Sequence, residues 1–187
     1  MNKNLLLLTR TAVMLALVVV FQWLGKMLGD AIFPGVGSTI LVGSLVNLVL
    51  YVTVIYCGVI GAVCVGFLTP VMAFVIGQLA FPVLMPFVGL GNAILAVVFW
   101  AVNKYLKINS SAKVVTGVVA ASLLKFLYMG FALVALLPSL GFNEKQVAVL
   151  SANYGWVQLV AAVVGGIIFF GVWQGLKKAK VQQVSEM

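Results

Sequence analysis

The stretch GSLVNLVLYVTVIYCGVIGAVCVGFLTPVMAFVIG, residues 43–77, carries no Asp, Glu, Lys, Arg or His. A spanning helix needs about 20 mostly apolar residues. The run therefore predicts two such helices, at about 40–56 and 58–77, parted at Cys57-Gly58, with no charge to mark the boundary. Working outward from it, four further apolar runs follow, at about 5–24, 86–106, 112–137 and 146–175. The last is long enough to tilt or to begin outside the hydrocarbon. Together they predict an all-α integral membrane bundle of six transmembrane helices, forming one domain over residues 1–187.

Composition sets the solvent. The chain is 64% hydrophobic and only 7% charged, with a mean hydropathy of +1.25, whereas a water-soluble domain has about 25% charged residues. Lipid must then be its outer solvent. The net charge of +8 does not indicate nucleic acid, because the basic residues sit at the ends of apolar runs and form no stripe.

Their placement predicts orientation instead. With the N-terminus in the cytoplasm, the cytoplasmic segments hold Lys3, Arg10, Lys104, Lys107, Lys113, Lys177, Lys178 and Lys180. The outside segments hold Lys26 and Lys145, each near an acid, Asp30 or Glu144. That bias predicts both ends in the cytoplasm of a prokaryotic cell membrane. Arg10 interrupts the start of the first run and no A-x-A-like site follows it, so the first helix is read as an anchor and not as a cleaved signal. The polar tail from Lys177 is expected to fray.

Several chemistries are excluded. The chain has no histidine, no acid inside an apolar run and no phosphate-binding glycine loop ending in Lys-Ser or Lys-Thr. Ser-His-Asp catalysis, His-based metal sites and carboxylate proton relays are therefore closed to it, and neither enzymatic activity nor a cofactor is expected. Cys57 and Cys64 lie roughly 10 Å apart along one helix. A disulfide needs Cα atoms within about 7 Å, so both read as small core residues.

Lys125 is the sharpest signal. It lies mid-helix in LLKFLYMGF, where a charge costs roughly 2.5–3.5 kcal/mol to insert and almost always faces a bundle interior or a wet cavity. On an ideal helix Gly117, Ala121, Lys125, Tyr128 and Ala132 share one face. Asn47, Asn92, Asn153 and Tyr128 lie roughly 9–14 Å from the outer ends of four different helices. They predict a polar pocket in the outer half of the bilayer, with Lys125 at its floor. Trp156, three residues after Asn153, is placed to stack on a flat ligand. No carboxylate is available to pair with Lys125, so its charge calls for loss of the proton, for hydration, or for a bound anion. The anion gives the charge a use. It predicts a ligand with a carboxylate or similar acceptor, with Asn92, Asn153 and Tyr128 completing its hydrogen bonds. Ordinary interhelical bonding by each Asn is the alternative.

Two further features bear on partners. Ala12 and Ala16 make a flat strip in the first helix where another helix can pack closely, although the pairs Ala62/Gly66, Ala161/Gly165 and Gly171/Gly175 share the spacing. The connections 25–39 and 78–86 are rich in Gly and Pro yet apolar, a composition suited to folding back over the bundle as a lid or to lying among headgroups.

The opening TRTAVMLALVVVFQ, the stretch 43–77 and the later PFVGLGNAILAVVF resemble the substrate-binding S components of energy-coupling-factor (ECF) vitamin transporters, over most of the chain. The resemblance implies a vitamin- or micronutrient-binding subunit whose site lies in the outer half, under external loops. It also implies that Ala12 and Ala16 dock the chain onto a transmembrane T component coupled to two ATPase subunits. A chain without a nucleotide site fits such borrowed energy. A self-sufficient facilitator or small channel stays open as the alternative.

Overall fold

A computed structural model describes residues 2–32 and 36–178 of the chain. Residues 33–35 of the first glycine-rich connection and the tail beyond Lys178 lie outside the described residues. The main elements are α1 (Lys3–Ile32), α2 (Val36–Val75), α3 (Met85–Tyr105), α4 (Ser110–Leu127), α5 (Val134–Leu136), α6 (Glu144–Tyr154) and α7 (Trp156–Lys178). A π-helical stretch, Tyr128–Leu133, joins α4 to α5, and 3-10 turns occupy Pro82–Leu84 and Pro138–Leu140. Among the described residues all regular structure is helical, and five stretches are long and apolar enough to cross a membrane: Lys3–Gly29, Gly37–Val75, Pro82–Tyr105, Ser110–Leu136 and Glu144–Gly175.

The 40 residues of α2 would reach about 60 Å if straight. They are not straight. Gly58 has φ 71° and ψ −178°, a region that is essentially glycine's alone, and the chain doubles back there. Both ends of α2 consequently meet the same end of α1. A Cβ on Gly25 would lie 2.8 Å from Val42 Cγ2, and one on Gly29 2.5 Å from Ser38 Cβ. Gln22 Nε2 donates to the Thr69 carbonyl at 3.1 Å, and Lys26 Nζ to that of Ile76 at 2.9 Å. At the far end of α1, a Cβ on Gly61 would meet Thr11 Oγ1 at 2.9 Å.

Three expectations need correction. The connection expected at 25–39 is mostly helix, because α1 runs on to Ile32 and α2 starts at Val36. Gly25 and Gly29 are not loop formers there. With Val18 and Gln22 they form the buried stripe of α1, and the missing side chains let the α2 backbone approach closely. The helix expected at 112–137 is wound as α, then π, then α. The wider π turn buries Met129 and Leu133 and turns Ala132 outward, so Ala132 leaves the face it was assigned. The helix expected at 146–175 is two helices, broken at Gly155, whose ψ is −117°.

Packing divides into two layers. Tyr51, Phe99 and Phe169 bring their ring centroids to 4.9–5.5 Å in one. Leu84, Met129, Leu133 and Leu137, all fully buried, centre the other. Phe81 packs edge-on to Phe142 in this second layer, at 4.9 Å. The segment after α2 is therefore laid across the bundle. Gly77, at φ 75°, ends the helix, and Gln78 and Leu79 turn their N–H groups back to the Ala73 carbonyl.

Candidate functional site

A buried ammonium without a carboxylate needs other acceptors. Lys125, 3% exposed, finds two. Its Nζ donates to Asn47 Oδ1 at 2.8 Å and to Asn92 Oδ1 at 2.9 Å. Asn92 is itself fixed, since its Nδ2 donates to the Gly66 carbonyl at 3.1 Å. Glycine at 66 permits this approach: a Cβ there would lie 3.2 Å from Asn92 Cβ. Gly165 does the same for Asn47, for a Cβ there would lie 3.0 Å from the Asn47 Cβ and 2.5 Å from the Ser44 carbonyl oxygen. One turn along α2 and α4 from this cluster, the Tyr51 hydroxyl and Ser122 Oγ are hydrogen-bonded at 3.2 Å. The lysine thus ties α4 to both α2 and α3.

Lys125 and Asn92 also form part of the wall of a cavity of about 500 Å³, within the ordinary range for small-molecule sites. Val42, Val46, Val88, Leu150 and Phe81 supply apolar wall. Gln22, Thr69, Gln78, Asn153, Tyr154 and Gln158 add polar groups. Two lysines, Lys26 and Lys125, line it, with no Asp or Glu among the described lining residues. Residues 77–81 form one side, which sets the second apolar connection against the cavity.

The residues singled out from the sequence are distributed as follows. Asn92, Lys125 and Asn153 line the cavity. Asn47, fully buried, stands behind Lys125. Tyr128 is half-buried beside Gly91 and is not among the lining residues. Trp156 is 53% exposed and is also outside the lining. The break at Gly155 cancels the helical relation to Asn153 that would have brought its ring inward, and Gln158 and Tyr154 take that place. The two asparagines turn their side-chain oxygens to the ammonium.

Gln22, Lys26, Thr69, Gln78 and Gln158 escaped the sequence reading. Lys26 and Gln158 lie towards helix ends and Gln78 beyond one, where polar side chains are common and signal little, and Thr69 can satisfy its hydroxyl within its own helix, as it does on the Val65 carbonyl. Gln22 is the exception that was readable: it is an uncharged polar residue inside the first apolar run, and here it is 2% exposed.

The strip of Ala12 and Ala16 is exposed on α1, whereas Ala62, Gly66, Ala161 and Gly165 are buried in helix contacts. Of the four similar pairs noted, it is therefore one of those not consumed by packing within the chain.

No curated protein and no solved structure matches the chain. A family model described as "ECF transporter, substrate-specific component" matches residues 6–179. A multi-pass helical protein, matched by this family model along nearly its whole length, the chain belongs to the substrate-specific components of the ECF transporters.

Proposed function

We propose that the chain captures a vitamin or similar micronutrient bearing an anionic or strongly accepting group, and that the ligand occupies the cavity walled by Lys125, Asn92 and Asn153. The observation that carries this reading is the buried lysine. An ammonium has three N–H donors. Two are taken by amide oxygens, which leaves one for an acceptor entering the cavity. The positive lining favours an anion over a cation, and the apolar walls suit an aliphatic or aromatic body.

In this reading the two halves of α2 are separate spans, which makes six, and both chain ends face the cytoplasm. The doubling back at Gly58 and the distribution of lysines support that. The exposed Ala12/Ala16 strip is the docking surface for a transmembrane T component, itself coupled to two ATPase subunits that supply the energy. The chain binds and carries without catalysis, in the cell membrane of a prokaryote.

The direct experiment is mass spectrometry of small molecules released from the purified protein, followed by calorimetric titration of the compound found. An acid bound with defined stoichiometry is the expected result. Release of lipid alone, together with failure to co-purify with ATPase subunits, would remove this reading in favour of a self-sufficient facilitator.

A further inference from the structure

The polar groups around the cavity fall into two sets. On one side they are satisfied within the protein. Lys26, Gln78 and Thr69 donate to backbone carbonyls, and Asn92 stands between Lys125 and the Gly66 carbonyl. Asn153, Tyr154 and Gln158 also line the cavity, yet among the described residues their side chains have no hydrogen-bond partner. All three are half-buried, and the sealed polar atoms without a partner belong to Arg10, Gln22 and Asn47 instead. Two carboxamides and a phenol therefore keep donors and acceptors that are accessible and unused.

Their convergence comes from the helix break. On an unbroken helix Asn153 and Gln158 would point about 140° apart. Gly155 ends α6 with ψ −117°, and a Cβ there would lie 2.6 Å from the Ser151 carbonyl oxygen. Helix α7 restarts at Trp156, and residues on both sides of the break reach one cavity. Packing against α2 gives the depth. Gly43 lies against Ala161, and Asn47 against Gly165, so α7 runs parallel to the first half of α2. Asn47 holds Lys125 Nζ. Gln158, seven residues back along α7 from Gly165, stands about 10 Å from that level. Val42 and Val46, on the facing half of α2, supply apolar wall between the two.

We infer that Asn153, Tyr154 and Gln158 are specificity-determining residues: they take a neutral head group with both an N–H donor and a carbonyl acceptor, about 10 Å from the acceptor that meets Lys125. This rests on the proposed site and narrows its substrate class, from acids in general to elongated acids with an amide, lactam or ureide at the far end. A short acid would leave the three side chains without a partner. A long acid with a hydrocarbon or ester end would desolvate them without return.

Three probes test this: 6-acetamidohexanoate, its ester analogue 6-acetoxyhexanoate, and N-acetylglycine, which carries the same two groups close together. Binding of each to the purified full-length protein is measured by calorimetry. The long amide should bind about tenfold or more tightly than either of the others. In the triple variant Asn153→Leu, Tyr154→Phe, Gln158→Leu, the preference for amide over ester should vanish while the ester still binds. Lys125→Met should weaken amide and ester by the same factor and keep the preference. Thermal unfolding in detergent reports whether each variant is folded, and the wild-type comparisons stand where one is not. Equal affinities of wild type for the long amide and its ester overturn the inference, and so does N-acetylglycine binding as tightly as the long amide. An undiminished preference in the folded triple variant overturns it as well. In each case the anionic reading survives provided Lys125→Met weakens the probes. Failure of all three probes to bind wild type overturns the inference and the anionic reading together.

Discussion

Lys125 Nζ reaches Asn92 Oδ1 at 2.9 Å across the interface of α4 and α3, and Asn92 hands the constraint on to the Gly66 carbonyl of α2 through its Nδ2. Lys125, part of the cavity wall, is held in place by two neutral amides, and no acid pairs with it among the described residues. Binding and architecture therefore share a group, and substitution of Lys125 reads out on both.

Lys125→Met should weaken binding of the retained compound by roughly 30-fold or more, the usual loss when one partner of a buried charge contact is truncated. Lys125→Arg should also lose affinity, since a planar guanidinium does not fit two converging amide oxygens as a compact ammonium does. Calorimetric titration checks both, with thermal unfolding in detergent run alongside. Unchanged affinity in a folded Lys125→Met protein would make the lysine structural only.

Gly165 and Gly171 lie on the same helix and predict opposite outcomes. A Cβ at 165 would meet the Ser44 carbonyl oxygen at 2.5 Å and the Leu48 nitrogen at 3.1 Å. These are backbone atoms that cannot turn aside. Gly165→Ala should destabilise the protein by about 1–3 kcal/mol and weaken ligand binding, because α2 must shift and Asn47 with it. Gly171 has nothing within 4 Å of the corresponding position, so Gly171→Ala should stay within about 0.5 kcal/mol. Melting temperatures of the two variants should separate accordingly.

Ala12 and Ala16 are exposed on α1 and belong to no contact of the candidate site. Replacing both by Trp should abolish uptake in cells that supply the partner subunits, yet leave ligand binding by the isolated chain within about twofold, the change expected of a surface substitution. Uptake assays and titration of the same variant are the measurements. Full uptake would dismiss the docking role.

Orientation is checked by cysteine accessibility. In a background lacking Cys57 and Cys64, a cysteine at 107 should react only with membrane-permeant reagents in intact cells. One at 143 should react with impermeant reagents as well. Labelling of 107 from outside would invert the topology.

Sequence made some of this legible and hid the rest for definite reasons. The apolar runs reveal the helices because in lipid the backbone must satisfy its own hydrogen bonds and a continuous run of about 20 apolar residues does so as a helix, and the parting expected at Cys57-Gly58 coincides with the backbone break at Gly58. Lys125, Asn92 and Asn153 stand out because polar groups in hydrocarbon are expensive, and all three line one cavity. Winding is another matter. Neither the π stretch at Tyr128–Leu133 nor the break at Gly155 has a strong local signature, yet one turns Ala132 outward and the other parts Trp156 from Asn153. Gly25 and Gly29 were misread because glycine serves loops and close helix contacts alike. Only the facing backbone at Ser38 and Val42 decides between them.

The attachment of α1 rests almost wholly on α2. Its buried stripe comprises Val18, Gln22, Gly25 and Gly29, and most of its other side chains are exposed. In a bilayer no hydrophobic force draws one helix to another. Its hold on α2 therefore comes from close glycine packing and from the bonds of Gln22 and Lys26 to Thr69, Ile76 and Gly77. Those acceptors are carbonyls of the second half of α2, available only after the chain has passed Gly58 and returned. The glycine contacts of α1 with Ser38 and Val42 need only the first half of α2, so its attachment has two parts: a close-packed seam formed with the next segment of the chain, and a polar latch that needs the returning one.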